Sequence, residues 1–298
     1  MCGIIGLLAR TETLRASFGA QVMPMFRCMA ERGPDSAGIA TFDQPVAPSL
    51  RRYNLFAFDR SIDWRALAGG LEKETGAPVT LQSIDNHAVF TTSLAPAAMS
   101  AWLVSRTASL LLLSIGRSLD IYKDMGNPIE IAERYRFSSL RASHGIGHTR
   151  MATESAISPA HAHPYSAGED FALVHNGSLS NPYMLRRMLE ARGLRFQTDN
   201  DTEAACRFLE WRLREGDTIE AAMTAGFSQL DGFYTLLIAT ADRMLLARDP
   251  FACKPAVVAE TDAYVAVASE FRSLAALPDI KNANIYEPRP AEVYSWKV

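Results

Sequence analysis

Residues 2–9 read Cys2-Gly3-Ile4-Ile5-Gly6-Leu7-Leu8-Ala9. The apolar run over 4–8 has strand length and no polar face, so a buried strand is expected almost at the amino terminus. The cysteine directly after Met1 is small enough to allow removal of the initiator. Cys2 would then carry a thiol and a free α-amine on one residue. An α-amine titrates near ~8, so it can take the thiol proton close to neutral pH, and one residue supplies both nucleophile and base. Gly3 leaves room for a substrate to approach the backbone. A cysteine at position 2 decides little in isolation, and its meaning depends on the rest of the chain.

Working outward, a helix is expected over 23–31, ended by the turn chemistry of Arg32-Gly33-Pro34-Asp35, with a second strand over Ser36–Phe42. The stretch 51–118 has its own rhythm. Strand character over 55–58 is followed by a helix over 63–75. Two alternating strands, Val79–Ile84 and His87–Thr92, enclose Asp85-Asn86, and a helix over 97–106 precedes a strand over 110–115. That βαββαβ order is the ferredoxin-like pattern and suggests a small inserted α+β subdomain. The alternative is that these elements extend the main sheet. Beyond it, strands are expected over 119–124 and 171–175, the latter ending at Asn176-Gly177. Helices follow over 182–192 and Asp201–Arg214, the second capped by Asn200 or Asp201. Strands over 233–240, Arg243–Arg248, 255–260 and 263–269 complete the pattern. Two strand-rich halves separated by helices indicate an α+β sandwich rather than alternating βαβ units.

Composition narrows the function. With 298 residues and 48% hydrophobic content, the chain can bury a large core in one domain or two. A net charge of −3 without a basic run argues against nucleic acid and anionic membrane as partners. Cys2, Cys28, Cys206 and Cys253 form no CxxC pair and no disulfide framework. The apolar start lacks the basic region of a signal peptide, and Leu110-Leu111-Leu112-Leu113 is too short to span a bilayer. A cytoplasmic protein with reduced thiols is expected.

The motifs then fall into an order. Cys2-Gly3-Ile4-Ile5-Gly6 resembles the amino terminus of class II glutamine amidotransferases, which are N-terminal nucleophile hydrolases. Arg32-Gly33-Pro34-Asp35-Ser36-Ala37-Gly38 resembles their second motif, and Gly147-His148-Thr149-Arg150-Met151-Ala152-Thr153 their glutamine-binding strand and turn. His163-Pro164-Tyr165, His175-Asn176-Gly177 and Asp201-Thr202-Glu203 are similar to the family's His-Pro, oxyanion and acidic motifs. Arg248-Asp249-Pro250, Lys254-Pro255 and Ala268-Ser269-Glu270 look like its closing strands. Any one of these is weak; their common order is specific.

The resemblance implies a four-layer αββα sandwich over 2–298 and hydrolysis of glutamine to glutamate and ammonia through a Cys2 thioester. It implies Asn176 and Gly177 as oxyanion donors, with Arg150, Thr153, Asp201, His163 and Arg32 around the substrate. Arg150 matches the family residue that holds the glutamine carboxylate through two parallel hydrogen bonds, and Asp201 the one that holds the ammonium. No cofactor is implied. His161-x-His163 has the look of a metal pair but lacks an acidic or thiol ligand at useful spacing, so no metal is expected. Met151 stands where the family often has an aromatic residue, and Glu154-Ser155 where some members have His-Gly.

No P-loop and no pyrophosphate-binding loop with paired acids is visible, so a complete amidophosphoribosyltransferase, asparagine synthetase or glucosamine-phosphate synthase is not expected. The length and the 51–118 stretch look like the small amidotransferase subunits of glutamate-synthase-type enzymes, including N-methylglutamate synthase. These hand ammonia to a separate synthase subunit carrying flavin or an iron–sulfur centre. The alternative is a free-standing amidohydrolase acting on a γ-glutamyl amide.

Overall fold

The apolar run after Cys2 forms the first strand of a computed structural model that describes residues 2–106, 108–152 and 156–298. The expected substrate contact Thr153, the departures Glu154 and Ser155, and Met1 lie outside the described residues. In chain order the elements are β1 (Gly3–Ala9), α1 (Glu12–Ala16), α2 (Phe18–Ala30), β2 (Ser36–Phe42), β3 (Arg51–Ala57), α3 (Trp64–Thr75), β4 (Val79–Ile84), β5 (His87–Thr92), α4 (Pro96–Val104), β6 (Leu110–Gly116), β7 (Leu119–Met125) and α5 (Pro128–Arg134). They continue as β8 (His144–Arg150), β9 (Tyr165–Ser166), β10 (Phe171–Leu179), α6 (Pro182–Glu190), α7 (Asp201–Arg214), α8 (Ile219–Gln229), β11 (Gly232–Thr240), β12 (Arg243–Arg248), β13 (Val257–Glu260), β14 (Tyr264–Ala268), β15 (Asn284–Tyr286) and β16 (Val293–Lys297).

Among the described residues three antiparallel sheets result. The largest runs β15-β13-β14-β1-β8-β2-β7, the second β16-β12-β11-β10-β9, and the third β4-β5-β3-β6. The fold is α+β. The two-residue period of the strands decides how the first two sheets pack. In β1, Ile5 and Leu7 join a core with Phe18, Met25 and Phe26 of α2, while Ile4 and Leu8 face the other way. There they meet Val174, Leu237 and Leu246 of the five-stranded sheet. That sheet turns Leu173, Leu236 and Leu245 outward onto Leu185 of α6, Phe208 of α7 and Met223 of α8. The clusters therefore stack as helices, sheet, sheet, helices. Strands apolar on both faces are what such burial requires.

The third sheet has a core of its own, in which Tyr53, Leu55 and Phe90 pack on Trp64 and Leu71 of α3 and on Met99 and Trp102 of α4. Its other face meets the main body: Phe56 and Leu113 join the inter-sheet core. Asn54 donates to Leu119 O at 2.9 Å and accepts from Ile121 N at 3.3 Å, and Arg52 pairs with Asp120. Asp63 caps α3 through the Arg65 and Ala66 amides. Among the described residues no helix is long and apolar enough to cross a membrane.

Candidate active site

β1 lies between β14 and β8, and Gly3 pairs with Thr149. Cys2 therefore leaves the sheet beside Arg150, the last residue of β8. The turn after α2 closes over the same sheet end. A Cβ at Gly33 would lie 2.4 Å from the Thr149 carbonyl, so only glycine lets the turn come this close. Asp35 N–H donates to Arg150 O at 3.0 Å, and its carboxylate accepts from Ala152 N–H at 2.8 Å. The turn thus grips the chain on both sides of Met151. Arg32 donates from Nε to Cys2 O at 3.3 Å and pairs with Glu270. Ser269 exchanges bonds with Ile4, receiving its N–H on Oγ at 2.9 Å and donating its own N–H to Ile4 O at 3.0 Å. The backbone around Cys2 is held from several directions, which leaves a half-buried thiol whose Sγ points at Met151 O at 3.6 Å.

The partner sheet brings the second set of groups. β10 ends at Leu179, and within it the Asn176 side chain donates to Cys2 O at 3.2 Å. Gly177 takes a φ of +154°, and a Cβ there would stand 2.0 Å from Phe233 O on β11. No other residue fits without moving that strand. α7 supplies the rest. Asn200 caps it by accepting from Thr202 N–H at 2.8 Å. Asp201, in its first turn, accepts from Leu179 N–H at 2.9 Å, which fixes the carboxylate across the end of β10. Together Cys2, Arg150, His163, Gly177 and Asp201 line one cleft of about 150 Å³, with Tyr183 and Asp199 at its rim.

Three buried histidines back the cleft. His163 Nε2 and His175 Nδ1 each lie 2.9 Å from Thr202 Oγ1. One hydroxyl can donate to only one of them, so the other donates to it; because one contact uses Nε2 and the other Nδ1, the two imidazoles then hold the same tautomer. His148 stacks on His163 at 4.1 Å and donates from Nε2 to His175 O at 3.0 Å. Burial holds all three below the ordinary histidine range, His148 at about 3. They are neutral at pH 7 and add no positive charge beside Arg150. His161 faces elsewhere, between Ser158 Oγ and Asp199 Oδ1, each at 2.7 Å. The two histidines of the His161-x-His163 pair thus serve different partners.

Of the residues singled out in the sequence, Cys2, Arg150, His163, Gly177 and Asp201 share the cleft, and Asn176 joins them through Cys2 O. Arg32 is absent from the cleft lining and contacts the nucleophile's own carbonyl instead. Asp35, Thr202 and Glu270 take part without having been picked out individually. Each sits within a quoted motif, but its job is a hydrogen bond to backbone or histidine that spacing alone does not reveal.

A family described as "Glutamine amidotransferase domain" matches residues 148–276. The chain is 42% identical to the glutamine amidotransferase-like protein GlxB of Rhizobium meliloti, over 99% of this chain and 98% of that protein. It is 31% identical to a putative glutamine amidotransferase of Methanothermobacter thermautotrophicus, over 99% of each. Among solved structures, glutamine phosphoribosylpyrophosphate amidotransferase from B. subtilis superposes with a TM-score of 0.62 at 21% identity. That likeness covers 99% of this chain and 49% of the other, and it concerns the fold.

Proposed function

The chain belongs to the class II glutamine amidotransferases, and from that premise we propose that it is a glutaminase with Cys2 as nucleophile, supplying ammonia to a separate synthase subunit. The observation that carries the reading is the convergence of Cys2, Arg150, Asp201 and the Asn176-Gly177 pair at one cleft from four segments of the chain.

The steps follow from the groups present. With Met1 removed, the Cys2 α-amine takes the thiol proton. Arg150 holds the glutamine carboxylate and Asp201 the ammonium. Sγ attacks the side-chain amide carbon, and the negative charge moves to the amide oxygen, which Asn176 Nδ2 and the Gly177 N–H stabilise. The C–N bond breaks and the nitrogen leaves as ammonia, taking the proton held by the amine. Water then adds to the thioester, the C–S bond breaks, and glutamate leaves with the thiol restored. The three neutral histidines shape the pocket and carry no proton in this scheme.

Ammonia released into water is protonated and loses its nucleophilicity, which gives a partner its role. The 51–118 stretch is the proposed docking surface, an inserted ferredoxin-like subdomain with its own core. A synthase subunit with flavin or an iron–sulfur centre is the proposed partner. Glutamate formation by the chain alone is expected to be slow, and to rise about tenfold or more with the synthase subunit and its acceptor. Crosslinks should fall on 51–118. Full activity alone, unchanged by any partner, would favour a free-standing amidohydrolase.

A further inference from the structure

Lys123 lies on β7, the edge strand of the seven-stranded sheet, and its side chain turns inward until only 4% of the residue is exposed. Nζ donates to Ala162 O at 2.7 Å and Pro164 O at 3.2 Å, and reaches Ala160 O at 3.5 Å. It stands 4.9 Å from the centre of the Tyr165 ring. Two of those carbonyls flank His163 directly. The backbone of Lys123 is anchored in turn, since its N–H donates to His87 Nε2 of the third sheet at 3.2 Å. His87, kept neutral by burial with a pKa of about 3, then carries its proton on Nδ1, facing Asn86 Oδ1 at 3.2 Å.

A buried ammonium bonded to backbone carbonyls is an expensive way to fill space. Desolvating such a charge is costly, and an apolar side chain of the same length would avoid that cost. Burial draws the Lys123 pKa down to about 7, against the pull of Glu203. The bonds do hold something specific. The segment 160–164 has no strand pairing of its own before Tyr165 joins β9, yet it carries the imidazole that contacts Thr202 beside Asp201.

We propose that Lys123 is a positioning residue: its Nζ donors tie the 160–164 carbonyls together and so hold His163 against Thr202, closing the wall of the glutamine cleft. It touches neither substrate nor nucleophile. This rests on the glutaminase reading, and the experiment separates the two. The rate at which an electrophilic glutamine analogue labels Cys2 in the natural chain tests the glutaminase reading. The ratio of variant to natural rates tests Lys123.

Lys123→Met keeps the length and removes the donor. Its KM for glutamine should rise about tenfold or more with kcat within about threefold, the loss expected for charged hydrogen bonds that order a binding wall. Analogue labelling should slow by a similar factor while iodoacetamide, which needs no glutamine pocket, alkylates Cys2 at the natural rate. Amide hydrogen exchange over 158–166 should quicken while β7 and β10 keep their protection. Lys123→Gln retains a donor and should fall between the two, which also serves if Lys123→Met does not fold. A folded Lys123→Gln or Lys123→Met with natural KM, or equal slowing of both reagents, overturns the proposal.

Discussion

Replacing Cys2 with alanine is expected to reduce glutamine hydrolysis by on the order of 10⁴-fold or more while barely moving the melting temperature. The two effects separate because of where the thiol sits. Among the described residues its sulfur makes one weak contact, 3.6 Å from Met151 O, and the residue is half-buried. Removing it leaves the sheet pairing of Gly3 and the bonds to Cys2 O in place. The expected stability change is therefore within about 1 kcal/mol. Cys2→Ser should be nearly as inactive, because a hydroxyl is a far poorer nucleophile than a thiol beside the same amine. Glutamate release and thermal denaturation of the purified variants check both halves. Activity within tenfold of the natural chain would remove Cys2 from the chemistry.

The next largest effect is expected at Asn176. Losing one oxyanion donor typically costs about 10²–10³ in kcat, or about 3–4 kcal/mol of transition-state stabilisation. Asn176→Ala should show that loss in kcat with KM little changed, because the donor matters most once the amide oxygen carries charge. In the resting geometry its Nδ2 bonds to Cys2 O at 3.2 Å, close enough to turn toward an oxygen forming above the sulfur. Arg150→Lys is the contrasting variant. It keeps the charge but loses the two-pronged geometry, so KM should rise while kcat is largely preserved. Steady-state kinetics on the pair distinguishes the roles, and a pure KM effect at Asn176 would withdraw the oxyanion assignment.

Much of this was legible in the chain because local chemistry and long-range packing agree. The hairpin strands Val79–Ile84 and His87–Thr92 have the bounds that alternation around Asp85-Asn86 indicates. Asp201–Arg214 begins where the Asn200 cap places it. Other elements were hidden for physical reasons. α2 starts at Phe18 rather than at residue 23, with Pro24 inside it. A proline inside a helix interrupts its pattern and conceals the turns before it. α1 and α5 have five and seven residues, too few to display a period. α8 lacks a strong apolar stripe, and β15 and β16 gain their identity from pairing with β13 and β12.

The site divides the same way. Cys2, Arg150, Asn176, Gly177 and Asp201, proposed from the ordered motifs, come together at one cleft. Asp35, Glu270 and Lys123 were not picked out, because their partners are backbone or lie on distant segments. Alternation puts Lys123 on the face of Leu119 and Ile121, but only the fold reveals three carbonyls around its amino group.

The most direct test of the central claim is the intact mass of the purified active chain, before and after treatment with an electrophilic glutamine analogue, followed by peptide mapping. The expected result is a chain lacking Met1 that gains one adduct, on Cys2, with Cys28, Cys206 and Cys253 unmodified. An active chain that retains Met1, or an adduct placed on another cysteine, would contradict it.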